Sequence, residues 1–139
     1  MTISTSLRRV IRAIRELREL YPDIPAATIE VFLLVAANAG LSSKELQQRA
    51  RTSQSSISRH LTMLTDHSWN GKTGIGLIDL IEDPRDRRTK RAFLNSKGVS
   101  VSIKIAALVD PDADEPSPSE FLSSKEYVAS VKGSLRKPV

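Results

Sequence analysis

The chain has 139 residues, of which 40% are apolar and 27% charged, and its formal net charge is +5. This length fits one domain with or without a tail, and no apolar run approaches the ~18 residues that span a membrane. There is no cysteine and there are two histidines, which excludes disulfides and thiol chemistry and argues against a metal site.

The charge is unevenly distributed along the chain. Residues 1–109 hold 17 Lys and Arg against 10 Asp and Glu, whereas residues 110–139 hold 4 against 6. A basic body favours a polyanionic partner. The N-terminus lacks the basic-then-apolar pattern of a signal peptide, so we expect a cytoplasmic protein.

The first two predicted helices differ in their burial. Residues 5–20 repeat apolar side chains at helical spacing, which predicts a helix with one apolar stripe. Its arginines lie outside that stripe and indicate a solvated face, a phosphate-contacting face or a partner surface. After a break at 21–25, residues 26–39 predict a mostly buried helix. Its predicted inward positions are Ile29, Phe32, Leu33 and Ala36.

Two short capped helices follow. Ser42 and Glu45 form a capping-box pattern that opens a helix over 43–50, and Ser53 caps a second helix over 54–67. Two such helices with a four-residue joint are typical of a helix-turn-helix, whose second helix enters the DNA major groove.

The polar positions of this second helix are candidates for DNA contact. They are hydroxyls, one amide and one guanidinium, which suit base edges and phosphates. An ordinary solvated face is the alternative. The candidate residues are Ser53, Gln54, Ser55, Ser56, Ser58, Arg59 and Thr62.

A hairpin with a charged tip is predicted next. Residues 77–82 and 90–95 read as its two strands, after a loop over 68–76 that contains Trp69. Arginines at a narrow loop tip can enter a minor groove, where the negative potential is strongest. The predicted DNA contacts here are Arg85, Arg87, Arg88 and Lys90. Asp83 and Asp86 are predicted to hold the neighbouring arginines in place, because phosphates would repel an unpaired carboxylate.

The chain then closes with a helix and an acidic tail. Asn95 caps a predicted helix over 96–109, and Asp110-Pro111 ends it. Residues 110–139 are predicted to be an acidic, proline-containing linker and tail, with a short helix at 119–132. His60, His67 and Trp69 are expected to be surface or packing residues, with a ligand or partner contact at Trp69 as the alternative.

The hairpin and the helix-turn-helix together resemble the MarR family of winged-helix transcription regulators. The family's wing pattern is Asp-x-Arg-Asp-x-Arg followed by Leu-Thr-x-x-Gly. The residues that match it in register are Asp83, Arg85, Asp86, Arg88, Leu94 and Gly98, with Asn95 in place of Thr. The resemblance covers about residues 25–100.

This resemblance implies a mainly α fold with a small β-hairpin wing (α+β), a winged helix-turn-helix with N- and C-terminal dimerisation helices. It divides the chain into a dimerisation helix at 1–24, a DNA-binding domain at 25–95, a C-terminal helix at 96–109 and the tail at 110–139. It also implies a homodimer, with recognition helices in successive major grooves and wings in the minor grooves.

The chain departs from the family pattern at three places. Arg51 occupies a turn position usually held by Gly, which predicts either a different turn or a strained backbone. An insertion containing Trp69 follows the recognition helix. The C-terminal helix stops at Pro111, so dimerisation would use helices 5–20 and 96–109, or a rearranged 119–132.

The function predicted from these features is sequence-specific binding of double-stranded DNA, most simply as a repressor that occludes its site. No nucleophile, paired carboxylates or cofactor motif suggests an enzyme, and no residue identifies a small-molecule effector or protein partner. Two alternatives remain: a protein-interaction module on the same scaffold, and a replication or recombination accessory that binds DNA with little sequence preference.

Overall fold

The computed structural model describes residues 1–67, 73–114 and 120–135 of the protein. These ranges contain six α-helices and one hairpin, in this order: α1 (Ile3–Leu20), α2 (Ala26–Ala37), α3 (Ser43–Ala50), α4 (Gln54–Leu64), β1 (Ile78–Asp83), β2 (Asp86–Leu94), α5 (Ser96–Val109) and α6 (Ser124–Leu135). Trp69 lies outside the described residues. Among the described residues, no helix combines the length and hydropathy that crossing a membrane requires.

Short polar side chains set the first residue of four helices. Thr2, Ser42, Ser53 and Asn95 each accept a hydrogen bond from the backbone amide three residues further on. At α3 the predicted capping box is complete, because the carboxylate of Glu45 accepts from the Ser42 amide in return, at 3.1 Å. The predicted starts of α3, α4 and α5 are therefore confirmed.

The joint between α3 and α4 has a left-handed residue. Arg51 has φ 53° and ψ 49°, the conformation that a family glycine would adopt without strain. Of the two alternatives predicted for this position, a different turn or a strained backbone, the structure has the second. Hydrogen bonds from the Arg51 amide to Gln48 O (3.3 Å) and from the Thr52 amide to Gln47 O (3.2 Å) close the turn.

The core lies between α2, α3, α4 and the hairpin. Its largest fully buried side chains include Phe32, Leu46, Ile57, Leu61, Leu64, Leu77 and Phe93. The prediction that Leu33 points inward is wrong, since it is 40% exposed. Almost every position of α2 is apolar, so the sequence did not distinguish its faces. The buried positions are Thr28, Val31, Phe32 and Val35, which follow helical spacing and leave Leu33 about 100° away.

The hairpin is longer than predicted and its turn is shorter. β1 and β2 pair antiparallel from Ile78↔Leu94 to Asp83↔Asp86, with an irregularity between Glu82 and Asp83. The turn is only Pro84-Arg85. Charged side chains do not prevent strand pairing when they point to solvent, so Arg87 and Arg88 lie on β2, not on a loop as predicted. Lys90 lies on the strand, as predicted.

The first and last helices, α1 and α6, pack against different elements. α1 packs against α5, where Glu16 forms an ion pair of 2.7 Å with Lys104. α6 packs against both strands of the hairpin, and it lies further along the chain than the predicted 119–132.

Candidate nucleic-acid interface

The exposed face of α4 carries the candidate contacts of the second helix. Ile57, Leu61 and Leu64 are buried, which leaves Gln54, Ser55, Ser58 and Arg59 exposed on the remaining surface. Because the apolar side fixes the helix against the core, these polar side chains have a defined direction toward solvent.

The other candidates of this helix are occupied by local hydrogen bonds. The Ser53 hydroxyl accepts from the Ser56 amide (3.2 Å) and donates to the Ser56 hydroxyl (3.0 Å). Thr62 is half-buried, and its hydroxyl donates to the Ser58 carbonyl at 2.9 Å. The Ser55 hydroxyl is also hydrogen-bonded, to that of Ser53 at 3.2 Å. Gln54, Ser58 and Arg59 are therefore the better-placed candidates.

His60 connects α4 to α2 through a hydrogen bond between side chains. Its Nδ1 lies 2.8 Å from the hydroxyl of Thr28, which is fully buried. Burial lowers the pKa of the imidazole, and the nearby Arg59 lowers it further. His60 is thus a packing residue, as expected, and it helps to fix the angle at which α4 is presented.

Asp83 is the centre of a hydrogen-bonded network in the hairpin. The carboxylate is 4% exposed and accepts from Arg91 Nε at 2.7 Å, the Arg85 amide at 2.9 Å and the Tyr127 hydroxyl at 3.1 Å. The hydrogen bond from Arg91 is the main reason that the pKa of Asp83 falls to about 2. Arg91 also donates to Gly40 O at 2.9 Å, which connects the hairpin to the residues before α3.

Asp86 has a similar but exposed arrangement. Its carboxylate accepts from the Arg88 amide and from the Thr89 hydroxyl, both at 3.1 Å. The Arg88 guanidinium is 3.8 Å away and 97% exposed, so most of its donors face solvent. Both aspartates thus contact the backbone that carries the arginines, which is consistent with the structural role predicted for them.

Helix α3, helix α4 and strand β2 border a concave surface, and the depression that it forms has a volume of about 520 Å³. It is lined by Ser42, Ser43, Lys44, Gln47, Gln54, Ile57, Arg88, Thr89 and Arg91. The N-termini of α3 and α4 border it, and helix N-termini attract anions through their amides and dipoles. With Lys44 and Arg88 beside them, this surface is suited to a polyanion.

Several residues of this region were not predicted. Lys44, Gln47 and Thr89 line the concave surface. Of these three residues, only Lys44 had a position in the sequence, the first turn of a capped helix, that indicated such a role. Arg91 and Tyr127 complete the Asp83 network. Tyr127 is 44 residues from Asp83 in the chain, and no local pattern could have paired them.

The arginine row of α1 is not part of this surface. Arg8, Arg9 and Arg12 lie beside the end of α5, where Arg9 donates to Val109 O at 3.4 Å. Within the described ranges, no group of three His, Asp or Glu side chains is placed to hold a metal ion.

Comparison with known proteins supports the fold that the geometry indicates. No family model and no curated protein matches the chain. Among solved structures, the S. aureus MepR–DNA complex is 17% identical, with 94% of this chain and 91% of that chain covered and a TM-score of 0.61. A MarR-like transcriptional regulator from Thermotoga maritima is 21% identical, with 98% and 94% covered and a TM-score of 0.53.

A mutant of E. coli MarR complexed with operator DNA is 22% identical, with 93% of this chain and 86% of that chain covered and a TM-score of 0.52. These likenesses span nearly the whole chain and include both the helix-turn-helix and the hairpin. The chain therefore has the MarR-type winged-helix fold.

Proposed function

We propose that the protein is a sequence-specific, double-stranded DNA-binding transcription regulator. The observation that carries this proposal is the concave, cation-bearing surface between α3, α4 and β2. It brings Gln54 of α4 together with Lys44 of α3 and with Arg88 and Arg91 of the hairpin. Structural relatives such as MepR and MarR are known in complexes with DNA.

In this proposal α4 reads the major groove. Gln54, Ser55, Ser58 and Arg59 supply donors and acceptors for base edges, with Gln suited to adenine and Arg to guanine. The hairpin, residues 78–94, is the wing. Arg85, Arg87, Arg88 and Lys90 contact the backbone and the adjacent minor groove.

We also propose that the protein acts as a homodimer through α1. This helix exposes an apolar stripe whose members recur at helical spacing: Ile3, Leu7, Val10, Ile11 and Ile14. Val109 at the end of α5 is 48% exposed and lies next to α1. Water-exposed apolar stripes of this kind are typical of subunit contacts, and a second copy would cover it symmetrically.

A dimer of this kind would act most simply as a repressor. Two recognition helices related by a two-fold axis require two half-sites of DNA, about one helical turn apart. A protein that covers such a length of duplex excludes other proteins from it. No described residue points to a particular effector ligand.

Selection of bound sequences from a random duplex pool, at roughly physiological salt, tests this function. We expect enrichment of an inverted repeat with half-sites about 10 base pairs apart. Binding without any enriched sequence would contradict sequence specificity and favour a nonspecific DNA-binding accessory. The absence of binding would contradict the proposal and favour a protein-interaction module.

A further inference from the structure

Helix α6 packs on the outer side of the wing and contributes an aromatic side chain to it. The ring of Tyr127 lies 5.2 Å from the ring of Phe93, centroid to centroid, with an angle of 37° between the planes. The guanidinium carbon of Arg91 is 5.9 Å from the Tyr127 centroid, within the range of a cation–π contact. These contacts fix the ring against β2.

The Tyr127 hydroxyl connects two wing residues at once. It donates to Asp83 Oδ2 at 3.1 Å and accepts from Arg85 Nη2 at 3.0 Å. Because the phenol donates one hydrogen bond and accepts the other, both of its functions are used. Arg85 is part of the two-residue turn of the wing, so the Tyr127 hydroxyl bonds a guanidinium that extends from the turn.

Arg85 is held in place by this contact, and its ion pair with Asp83 is longer than that of Arg91. Arg91 makes the short contact to the Asp83 carboxylate, at 2.7 Å, whereas Arg85 Nε stays 3.7 Å from it. The Arg85 side chain remains 58% exposed. A guanidinium has five N–H donors, so those not used by Tyr127 stay free for an anionic partner.

We propose that Tyr127 is a positioning residue that orients the Arg85 guanidinium for DNA, so that α6 sets how the wing engages the duplex. This inference rests on the function proposed above. A free arginine side chain loses rotamer entropy when it is immobilised. Holding Arg85 before binding lowers that cost, which is the usual benefit of preorganisation.

Tyr127→Phe tests the inference because it removes only the hydroxyl and keeps the ring against Phe93. We expect the dissociation constant for the selected duplex to rise by about 3- to 10-fold, as for one side chain that must be ordered on binding. The matched control is Tyr21→Phe, which removes the other phenol of the chain, at the end of α1. This control should leave the constant unchanged.

A double-mutant cycle separates positioning from a general structural effect. In an Arg85→Ala background, Tyr127→Phe should have no further effect on the dissociation constant, because there is no guanidinium left to orient. Equal losses in both backgrounds would overturn the inference, as would unchanged binding. Tighter binding by Tyr127→Phe would also overturn it, since the hydroxyl would then be sequestering Arg85.

A second measurement needs no DNA. NMR relaxation of the Arg85 Nε–Hε group should show an ordered side chain in the wild type and a mobile one in Tyr127→Phe. Equal mobility in both would overturn the holding contact itself. A wild type that binds no duplex would instead contradict the proposed function, so the two failures can be distinguished.

Discussion

Gly98→Ala is expected to lower the free energy of unfolding by about 2–3 kcal/mol, as overpacked sites do. A Cβ at this position would lie 2.1 Å from the backbone oxygen of Leu77 and 3.2 Å from Leu94 Cδ2. The first contact involves backbone on both sides, so no side-chain rotation can relieve it. Helix α5 would have to move away from the segment that precedes β1.

Such a movement would disturb the hydrogen bonds at the start of α5. The side chain of Asn95 accepts a hydrogen bond from the Gly98 backbone amide at 2.8 Å and donates one to Gly76 O at 2.9 Å. The backbone amide of Asn95 donates to Leu77 O at 3.1 Å. The glycine of the Leu-x-x-x-Gly pattern is thus needed for close approach of two backbone segments.

Gly133→Ala is the matched control for this prediction. No atom lies within 4 Å of a Cβ built there, and the residue is inside α6. The substitution should stabilise the protein by up to about 1 kcal/mol through helix propensity. Urea unfolding of both variants measures the difference, and equal stabilities would contradict the close approach at Gly98.

Asp83→Asn is expected to destabilise the protein by about 2–3 kcal/mol at pH 7. Removing one partner of a buried ion pair leaves the other charge poorly compensated, since Arg91 is only 24% exposed and would keep only its longer contact of 3.4 Å with the more exposed Glu45. The substitution also weakens the bonds from the Arg85 amide and from Tyr127. Asp86→Asn, at a carboxylate that is 55% exposed, should cost less than about 1 kcal/mol.

The effect of Asp83→Asn should depend on pH in a defined direction. The native pKa of Asp83 is lowered from 3.8 to about 2, so its charged form stabilises the folded state. That stabilisation is complete above pH 3.8 and is lost as the pH falls toward 2. Chemical unfolding of wild type and variant should therefore converge near pH 2, and a constant difference down to that pH would contradict the ionic network.

The local parts of this fold were predictable from the sequence. Ser42, Ser53 and Asn95 each cap a helix by bonding to an amide three residues away, so the information lies within one turn. At Arg51 the sequence left two alternatives open, a different turn or a strained backbone, and the structure has a left-handed residue there.

Tertiary features were predicted less well. Leu33 was assigned to the core because α2 is apolar on all sides and only packing selects its buried face. The hairpin tip was predicted too long because charge was taken as a sign of a loop, whereas β2 pairs through its backbone. The docking of α6 on the wing depends on Tyr127, whose partners are far away in the chain.

Of the predicted contact residues, Gln54 and Arg88 line the concave surface between α3, α4 and β2, whereas Thr62 and Lys90 line a different depression beside β1. The residues that hold the site together, Arg91 and Tyr127, were not predicted, because each acts through contacts with other elements. The DNA-contact roles of Gln54, Arg59, Arg88 and their neighbours remain predictions.

The salt dependence of binding to the selected duplex most directly tests the claim that the protein binds DNA through α4 and the wing. It is measured for the wild type, Arg88→Ala and Arg15→Ala. Each variant removes one exposed cation, on the wing and on α1 respectively. With about six phosphate contacts per dimer, the logarithm of the association constant should fall with the logarithm of the salt concentration. The expected slope is about −5 for the wild type and for Arg15→Ala. Arg88→Ala should make this slope less negative by about 2, because each dimer loses two phosphate contacts. A nearly flat slope for the wild type, or equal flattening by both variants, would contradict DNA binding through α4 and the wing.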